Sequence, residues 1–363
     1  MSESLSIPNL ADRIPDEAAA YKFFEDMRWG DRPVCPHCGT ARAPYYLKPR
    51  NGGRKTNKGK VSQRRVWKCS DCRRQFSVLT GTIMHGTKIP VRTWAFVMFE
   101  MCSSKNGVSA REIERKYEVT AEAAWFMTHR IREAMRREPV AGLLRGTVIA
   151  DETWIGGKPR NRHAHVRYSR NNYLKDDKTA VLALVDRGTG EVRSQVVRDV
   201  KRDTLKAAIE AEVDLPATVL HTDEAMAYKR IGWKAAGHES VNHRMSEYVR
   251  GDVTTNHAEG YFSQLKRSLD GTYHAVSRGH LHRYLAEFDF RYSTRDLTDS
   301  QRMARLMGQT RGRRLSYRAT DGRGLSRRNG SSTGVPEVDT QEVRVTRDAR
   351  FPGTRCGSRA RLC

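Results

Sequence analysis

The sequence predicts an α/β fold built on a mixed sheet, and three observations predict it. Apolar runs of strand length, at 147–150, 179–185 and 218–221, alternate with helical patterns from Gly146 to about residue 295. Two of these runs lead into an acid, Asp151 and Asp223. A third acid, Glu259, lies in the first turn of a helical pattern that opens at Asn256. A carboxylate at the end of a buried strand is costly unless something positive neutralises it. Two such ends and one helix acid therefore point to divalent cations held by hard oxygen ligands.

The elements follow in order. The strand 147–150 ends at Asp151, and 179–185 is the second strand. Asp186-Arg187-Gly188-Thr189-Gly190 is a turn, and 191–197 completes a hairpin. A helix at 204–212, a strand at 218–221 ending at Asp223, and a helix at 256–269 complete the set. Three strands, a helix, a strand with an acid and a later helix with an acid make the ribonuclease-H-like order. It sets the first two carboxylates side by side and leans the third over them. Two Mg²⁺ (or Mn²⁺) ions held there activate an attacking oxygen and stabilise the leaving one. Lys266 lies seven residues, two helical turns, beyond Glu259 and shares its face. It can meet a DNA phosphate beside the ions, with Gln264 and Arg267 as further donors. Glu152 and Glu224 point elsewhere if the strands continue, as second partners or salt-bridge acids.

Charge favours the same substrate. The chain of 363 residues carries a formal net charge of +24, an excess that solubility alone does not require. No apolar stretch reaches the roughly 18 residues of a membrane span. The N-terminus has no basic region followed by an apolar core. A cytoplasmic, nucleoid-associated protein is expected, in which the seven cysteines are metal ligands or free thiols rather than disulfides.

Cys35-Pro-His-Cys38 and Cys69-Ser-Asp-Cys72 are two knuckles separated by thirty residues. Paired thiolates at this spacing close a tetrahedral Cys₄ zinc site with no open position, so the zinc is structural. His37 falls inside a knuckle whose shell is already complete. The intervening basic stretch reads as an exposed loop along DNA phosphates, with Lys55, Lys58 and Lys60 near its tip. Cys102, in an apolar helical run, reads as core.

Residues 10–30 and 90–138 read as helical. Ser109 with Glu112 is a capping-box pattern, and Thr120 caps a second helix, 121–135. The pair fits a helix-turn-helix, with Arg130, Arg132 and His129 as groove donors, or a plain helical hairpin. The basic loop with Arg160 and Arg162 is a further candidate DNA contact. A helical piece at 298–308 precedes an Arg-, Gly- and Ser-rich stretch that reads as a disordered basic tail. The expected boundaries are 1–33 (helical), 34–82 (zinc ribbon), 83–140 (helical, DNA-binding), 146–297 (catalytic) and 298–363 (helical extension and tail).

These motifs together resemble insertion-sequence transposases of the ISXO-two-like group. The residues that carry the resemblance are the two cysteine knuckles, Thr80-Gly-Thr-Ile83, Thr87-Lys-Ile-Pro90 and Trp94. In the catalytic part they are Ala150-Asp-Glu-Thr-Trp-Ile-Gly-Gly-Lys158, His221-Thr-Asp-Glu224, Thr254-Thr-Asn-His-Ala-Glu-Gly260, Leu265-Lys-Arg267, Gly271-Thr-Tyr-His274 and Phe290-Arg-Tyr292. The resemblance covers about 15–318, and the sequence departs from the family pattern beyond Arg318. It implies cutting and joining of DNA ends with Mg²⁺, by a dimer or larger assembly on paired terminal inverted repeats and target DNA. The third metal ligand is Asn256 or Glu259; a carboxylate holds Mg²⁺ better than an amide, and the step to Lys266 fits Glu259. Two other readings stand beside this one. A zinc-containing DNA-binding regulator would lack Mg²⁺-dependent nicking, and a structure-specific nuclease of the same fold would cleave without joining.

Overall fold

Pro15 divides the N-terminal helical pattern in two. Helix α1 (Ile7–Arg13) is capped by the Ser6 side chain and α2 (Glu17–Trp29) by Asp16. The helical reading of 10–30 holds over both elements, with a break at Ile14 and Pro15. Proline lacks an N–H and pushes the preceding residue out of the helical region, and Ile14 sits at φ −125°, ψ 63°. The computed structural model describes residues 5–42, 44–48, 55, 59, 61–137, 142–156, 178–223, 226–241, 249–250, 253–274, 276–313 and 315. Lys58, Lys60, Arg160, Arg162, Glu224 and the tail beyond Arg318 lie outside the described residues.

After α2 the chain forms a small antiparallel sheet of β1 (Tyr45–Tyr46), β2 (Trp67–Lys68) and β3 (Gln75–Phe76). Three helices follow: α3 (Val91–Ser103), α4 (Ala110–Tyr117) and α5 (Ala121–Met135). Helix α3 begins at Pro90 without a side-chain cap of its own, and Glu17 of α2 accepts from the N–H groups of Val91 and Arg92 instead. The α4–α5 pair forms as read from its caps: Ser109 accepts from Glu112 N and Thr120 from Ala123 N, with Glu118 left-handed in the turn at φ 52°. Cys102 is buried, as its apolar run predicts.

The next strands are β4 (Leu144–Ile155), β5 (Thr179–Asp186) and β6 (Val192–Val197). Helix α6 (Arg202–Glu210) leads to β7 (Val213–Thr222), then α7 (Met226–Gly232) and β8 (Gly237–Ser240). The five strands make one mixed sheet, ordered β6-β5-β4-β7-β8. β6, β5 and β4 pair antiparallel; β4, β7 and β8 pair parallel. A short hairpin, β9 (Val249–Arg250) with β10 (Val253–Thr254), precedes α8 (Asn256–Ser268). Helices α9 (Leu281–Ser293) and α10 (Asp299–Gly308) follow.

Both faces of the sheet are covered, which is why β5 is apolar throughout rather than alternating. Val148, Ala150 and Leu220 face α6 and α7. Ile149, Val181 and Ala183 face α8 and α9. Helix α10 instead completes the N-terminal helical core, where Met303, Leu306 and Met307 join Phe24, Trp94 and Ile131. Leu5 N donates to Ser300 Oγ at 2.7 Å, and Gly312 N to Gly81 O at 2.9 Å.

Candidate metal centres and nucleic-acid interface

In the cysteine site, Gly39 (φ 74°) and Arg73 (φ 56°) each directly follow the second cysteine of a knuckle and turn the chain back. Cys35 N then bonds Thr40 O, and Cys69 N bonds Arg74 O. The four thiol sulfurs lie within 4.8 Å of one another. Cys35 Sγ and Cys72 Sγ are 3.7 Å apart, and Cys38 Sγ and Cys69 Sγ 3.6 Å. A disulfide would need about 2.05 Å. A tetrahedron with Zn–S bonds of about 2.3 Å has edges of about 3.8 Å, so the quartet fits zinc. His37 stays outside it, with Nε2 3.3 Å from Gln75 O. Glu25, buried in α2, ties the ribbon down by accepting from Arg65 Nε and Trp67 Nε1, both at 2.8 Å. Stripping the metal with a chelator, or Cys69→Ser, is expected to unfold the ribbon, since metal-binding energy is folding energy in such sites. Loss of stoichiometric zinc, with a change in fluorescence from Trp29 and Trp67 packed beside the site, checks this.

The carboxylate edge is set by register. The expectation that the first strand ends at Asp151 is corrected: β4 continues to Ile155 because β5 keeps pairing it, with Asp151 opposite Ala183. What ends is the parallel pairing on the other side, whose last pair is Ile149 with His221. Asp151 stands two residues beyond that pair on β4, and Asp223 two residues beyond it, just past the end of β7 at Thr222. Side chains alternate along strands. Asp151 therefore shares the face of Ile149, which is the face that α8 covers.

Helix α8 buries Ala258, Tyr261, Phe262 and Leu265 against this face. Its exposed side carries Asn256, Glu259, Ser263, Lys266 and Arg267. Thr255 Oγ1 donates to Glu259 Oε1 at 3.4 Å. Asp151 Oδ1 accepts from Glu152 N at 2.8 Å. Among the described residues only the cysteine quartet converges closely enough to form a ligand cage; the three carboxylates lie on adjoining elements without closing one. Gln264 is used within the chain, donating to Lys105 O at 3.1 Å, whereas Arg267 reaches only Ser263 Oγ at 3.4 Å.

Glu152 points to the opposite face, toward the buried Tyr228 of α7. Burial pushes its carboxyl up to about 7, and the neighbouring charges of Asp223 and Asp151 add to the shift.

The structure corrects the groove-reading role of α5. Its Ala124, Met127, Thr128, His129, Ile131, Arg132, Ala134 and Met135 are buried, so the face that carries His129 and Arg132 packs inward and cannot enter a groove. Arg132 is 2% exposed and donates to Glu287 Oε2 of α9 at 2.7 Å. Its guanidinium stacks 4.0 Å from the Tyr284 ring centroid. His129 is buried as well. Arg130 stacks on Phe126 at 4.6 Å and donates to His85 O at 3.4 Å. The hairpin alternative is what forms. Lys55 is exposed, in an antiparallel bridge with Val61.

Sequence reasoning missed two buried acids of α9. Glu287 accepts from Arg132, from Arg291 Nη2 at 2.7 Å and from Tyr273 OH at 2.8 Å. Asp289 accepts from Ser194 N at 2.9 Å, and from Ser194 Oγ and Tyr261 OH at 2.7 Å each, which ties α8 and α9 to β6. Acids spaced along an otherwise amphipathic helix were the available signal. Burial pushes Asp289 from 3.8 up to about 7. The folded state therefore holds a proton that the unfolded state releases in that interval, and stability is expected to fall as pH rises through it. Asp289→Asn flattens that slope; melting temperature measured from pH of about 4 to about 8 checks it.

A ribonuclease-H-like domain preceded by a zinc ribbon is thus the class that fold and site define. Residues 143–293 match the ISXO2-like transposase domain, and 15–75 the transposase zinc-ribbon domain. Together the two matches span more than half of the chain, which belongs to the ISXO2-like transposase family. A protein described as an uncharacterized protein in transposable element ISH50 of Halobacterium salinarum is 27% identical over 284 residues, covering 76% of this chain and 90% of that protein. A solved structure of the simian T-cell lymphotropic virus intasome in complex with PP2A regulatory subunit B56 gamma aligns with TM-score 0.26 and 13% identity. That alignment covers 53% of this chain and 65% of that one, and bears no weight here. No helix among the described residues is long and apolar enough to cross a membrane.

Proposed function

We propose that the chain cleaves DNA at the ends of an insertion sequence and joins the freed 3′-hydroxyl to target DNA, with Mg²⁺ held by Asp151, Asp223 and Glu259. What supports this reading is the parallel pairing of β4 with β7, which ends at Ile149 and His221, two residues before Asp151 and Asp223 respectively. The donor set suits a hard cation: three carboxylates on adjoining elements, with no thiol or imidazole required. When bound, such ions supply an activated attacking oxygen and stabilise the leaving oxygen. Glu259 is the third ligand in this reading and Asn256, one turn earlier, an accessory contact. Lys266 and Arg267, on the exposed side of α8, grip the phosphates that flank the scissile bond and set its direction. The ribbon loop at Lys55 contributes a further phosphate contact, and Lys58, Lys60, Arg160 and Arg162 are proposed to do the same. Neither step needs a Ser or Tyr nucleophile, because a water and then the DNA's own hydroxyl attack.

Two ends cut in concert need two such sites, so a homodimer or larger assembly on paired terminal repeats is part of the proposal. The test incubates labelled element-end DNA and a target plasmid with the protein and Mg²⁺. Nicked ends and labelled plasmid are expected. Nicks without joined product would favour a nuclease, and binding without nicks a regulator. Lys266→Ala is expected to weaken duplex binding uniformly across sequences and lower its salt slope by about one; anisotropy titrations at several salt concentrations check it.

A further inference from the structure

We propose that the start of α9, with Arg278, His280, His282 and Arg283, is a second DNA-phosphate site apart from the carboxylate edge. It rests on the reading that the chain acts on DNA. A 3₁₀ turn, Arg278–His280, leads into the 13-residue helix, and neither segment receives a side-chain cap. Neither has an acid in its first turn. The N-terminus of a helix is the positive end of its dipole, where acids stabilise and bases do not. The 3₁₀ turn already engages the N–H groups of His280 and Leu281, with Ser277 O and Arg278 O, so what the four basic side chains gathered at this positive end favour is an anion met by the side chains themselves.

Independent of the helix, buried polar atoms converge on the same spot. His129 of α5 is 0% exposed, and neither ring nitrogen has a hydrogen-bond partner. Its ring packs 5.4 Å from that of His280 and 4.1 Å from that of Trp125. His280 Nδ1 and Arg283 Nε are also buried without a partner. Buried polar groups are nearly always hydrogen-bonded, so three at one place mark a position built for an acceptor.

The nearby acids do not supply that acceptor. Glu133 approaches Arg283 but pairs with Arg136 at 2.7 Å. Glu287 is engaged by Arg132 and Arg291. Among the described residues neither Arg278 nor Arg283 forms an ion pair. Burial, together with the charges of Arg132, Arg283, His280 and His282, pushes His129 down to about 2. It enters the site as a neutral ring. Arg278 and His282 are exposed and open the site to a long ligand. A free phosphate shares the chemistry, but a chain of net charge +24 meets polyanions first, and we assign the DNA backbone.

The experiment is fluorescence anisotropy of labelled duplexes against the full chain over a salt series. It compares wild type, the double variant Arg278→Ala/Arg283→Ala and the single variant Arg278→Glu, whose exposed position spares the fold. The double variant is expected to bind roughly tenfold more weakly, with a salt slope shallower by about two, on element-end and unrelated duplexes alike. Arg278→Glu is expected to show the same direction. Unchanged affinity and slope in Arg278→Glu would overturn the proposal. Thermal stabilisation by inorganic phosphate that the variants lose, with DNA affinity unchanged, would make the ligand a free phosphate and overturn the DNA assignment. Wild type that binds no duplex would defeat the transposase reading instead.

Discussion

Asp151→Ala and Asp223→Ala are each expected to abolish Mg²⁺-dependent cleavage, by about a thousandfold or more, while duplex affinity stays within a few-fold. The asymmetry follows from where the residues stand. Both follow the last parallel pair of β4 and β7 by two residues, and a carboxylate there adds nothing to attraction for a polyanion. Losing one oxygen ligand from a cation that stabilises charge in the transition state removes several kcal/mol, and about 4 kcal/mol is a thousandfold in rate. Binding rests on cationic groups elsewhere, so it survives. The comparison of Glu259→Ala with Asn256→Ala assigns the third ligand: the first is expected to match the aspartate variants and the second to lose far less. Single-turnover nicking of a labelled end, beside anisotropy on the same samples, reads both effects.

Glu287→Ala is the largest expected effect on the fold. The carboxylate is 0% exposed and lies between two buried guanidinium groups. Arg132 and Arg291 hold it well below the ordinary carboxyl range despite its burial. Arg291 also donates to Met101 O at 2.7 Å and to Ser104 O, so the cluster fastens α9 to α3 as well as to α5. Alanine leaves two buried positive charges and the Tyr273 hydroxyl without their acceptor. Removing one partner of a buried charge cluster costs about 3–5 kcal/mol. The melting temperature is expected to fall by roughly 10 °C, at the usual few degrees per kcal/mol. Because the folded pKa is depressed, the contribution is present above the ordinary carboxyl value and lost as pH falls below it. Calorimetry of wild type and variant at neutral and acid pH tests both points: the gap should close on acidification.

These two sites differ in how far the sequence reveals them. Asp151, Asp223 and Glu259 stand out in the sequence as candidates because local patterns, an apolar run and a helix start, end on an acid with nothing local to neutralise it; the structure puts them on adjoining elements without closing a cage. The cysteine quartet is legible because its spacing is itself a geometric statement. Strand β4 was read too short, since Asp-Glu-Thr-Trp looks polar; only the pairing of β5 along its whole length, a long-range fact, carries the strand onward. Arg132 misled for the same reason. On a helix of a basic chain an arginine reads as a DNA donor, and its partner Glu287 stands 155 residues away. Elements α7 and β8 are short and carry little period of their own, so the sheet that receives them defines them.

The central claim is that Asp223 binds the catalytic cation directly, and a change of ligand atom tests it. A thiolate prefers softer ions than a carboxylate does, and Mn²⁺ accepts it more readily than Mg²⁺. Cleavage of an element-end duplex by Asp223→Cys is the measurement, with each ion in turn. The account predicts no cleavage with Mg²⁺ and partial recovery with Mn²⁺, while Asp223→Ala stays inactive with both. Cleavage by Asp223→Cys or Asp223→Ala at the wild-type rate in Mg²⁺ would contradict it, because the cation would then be held elsewhere.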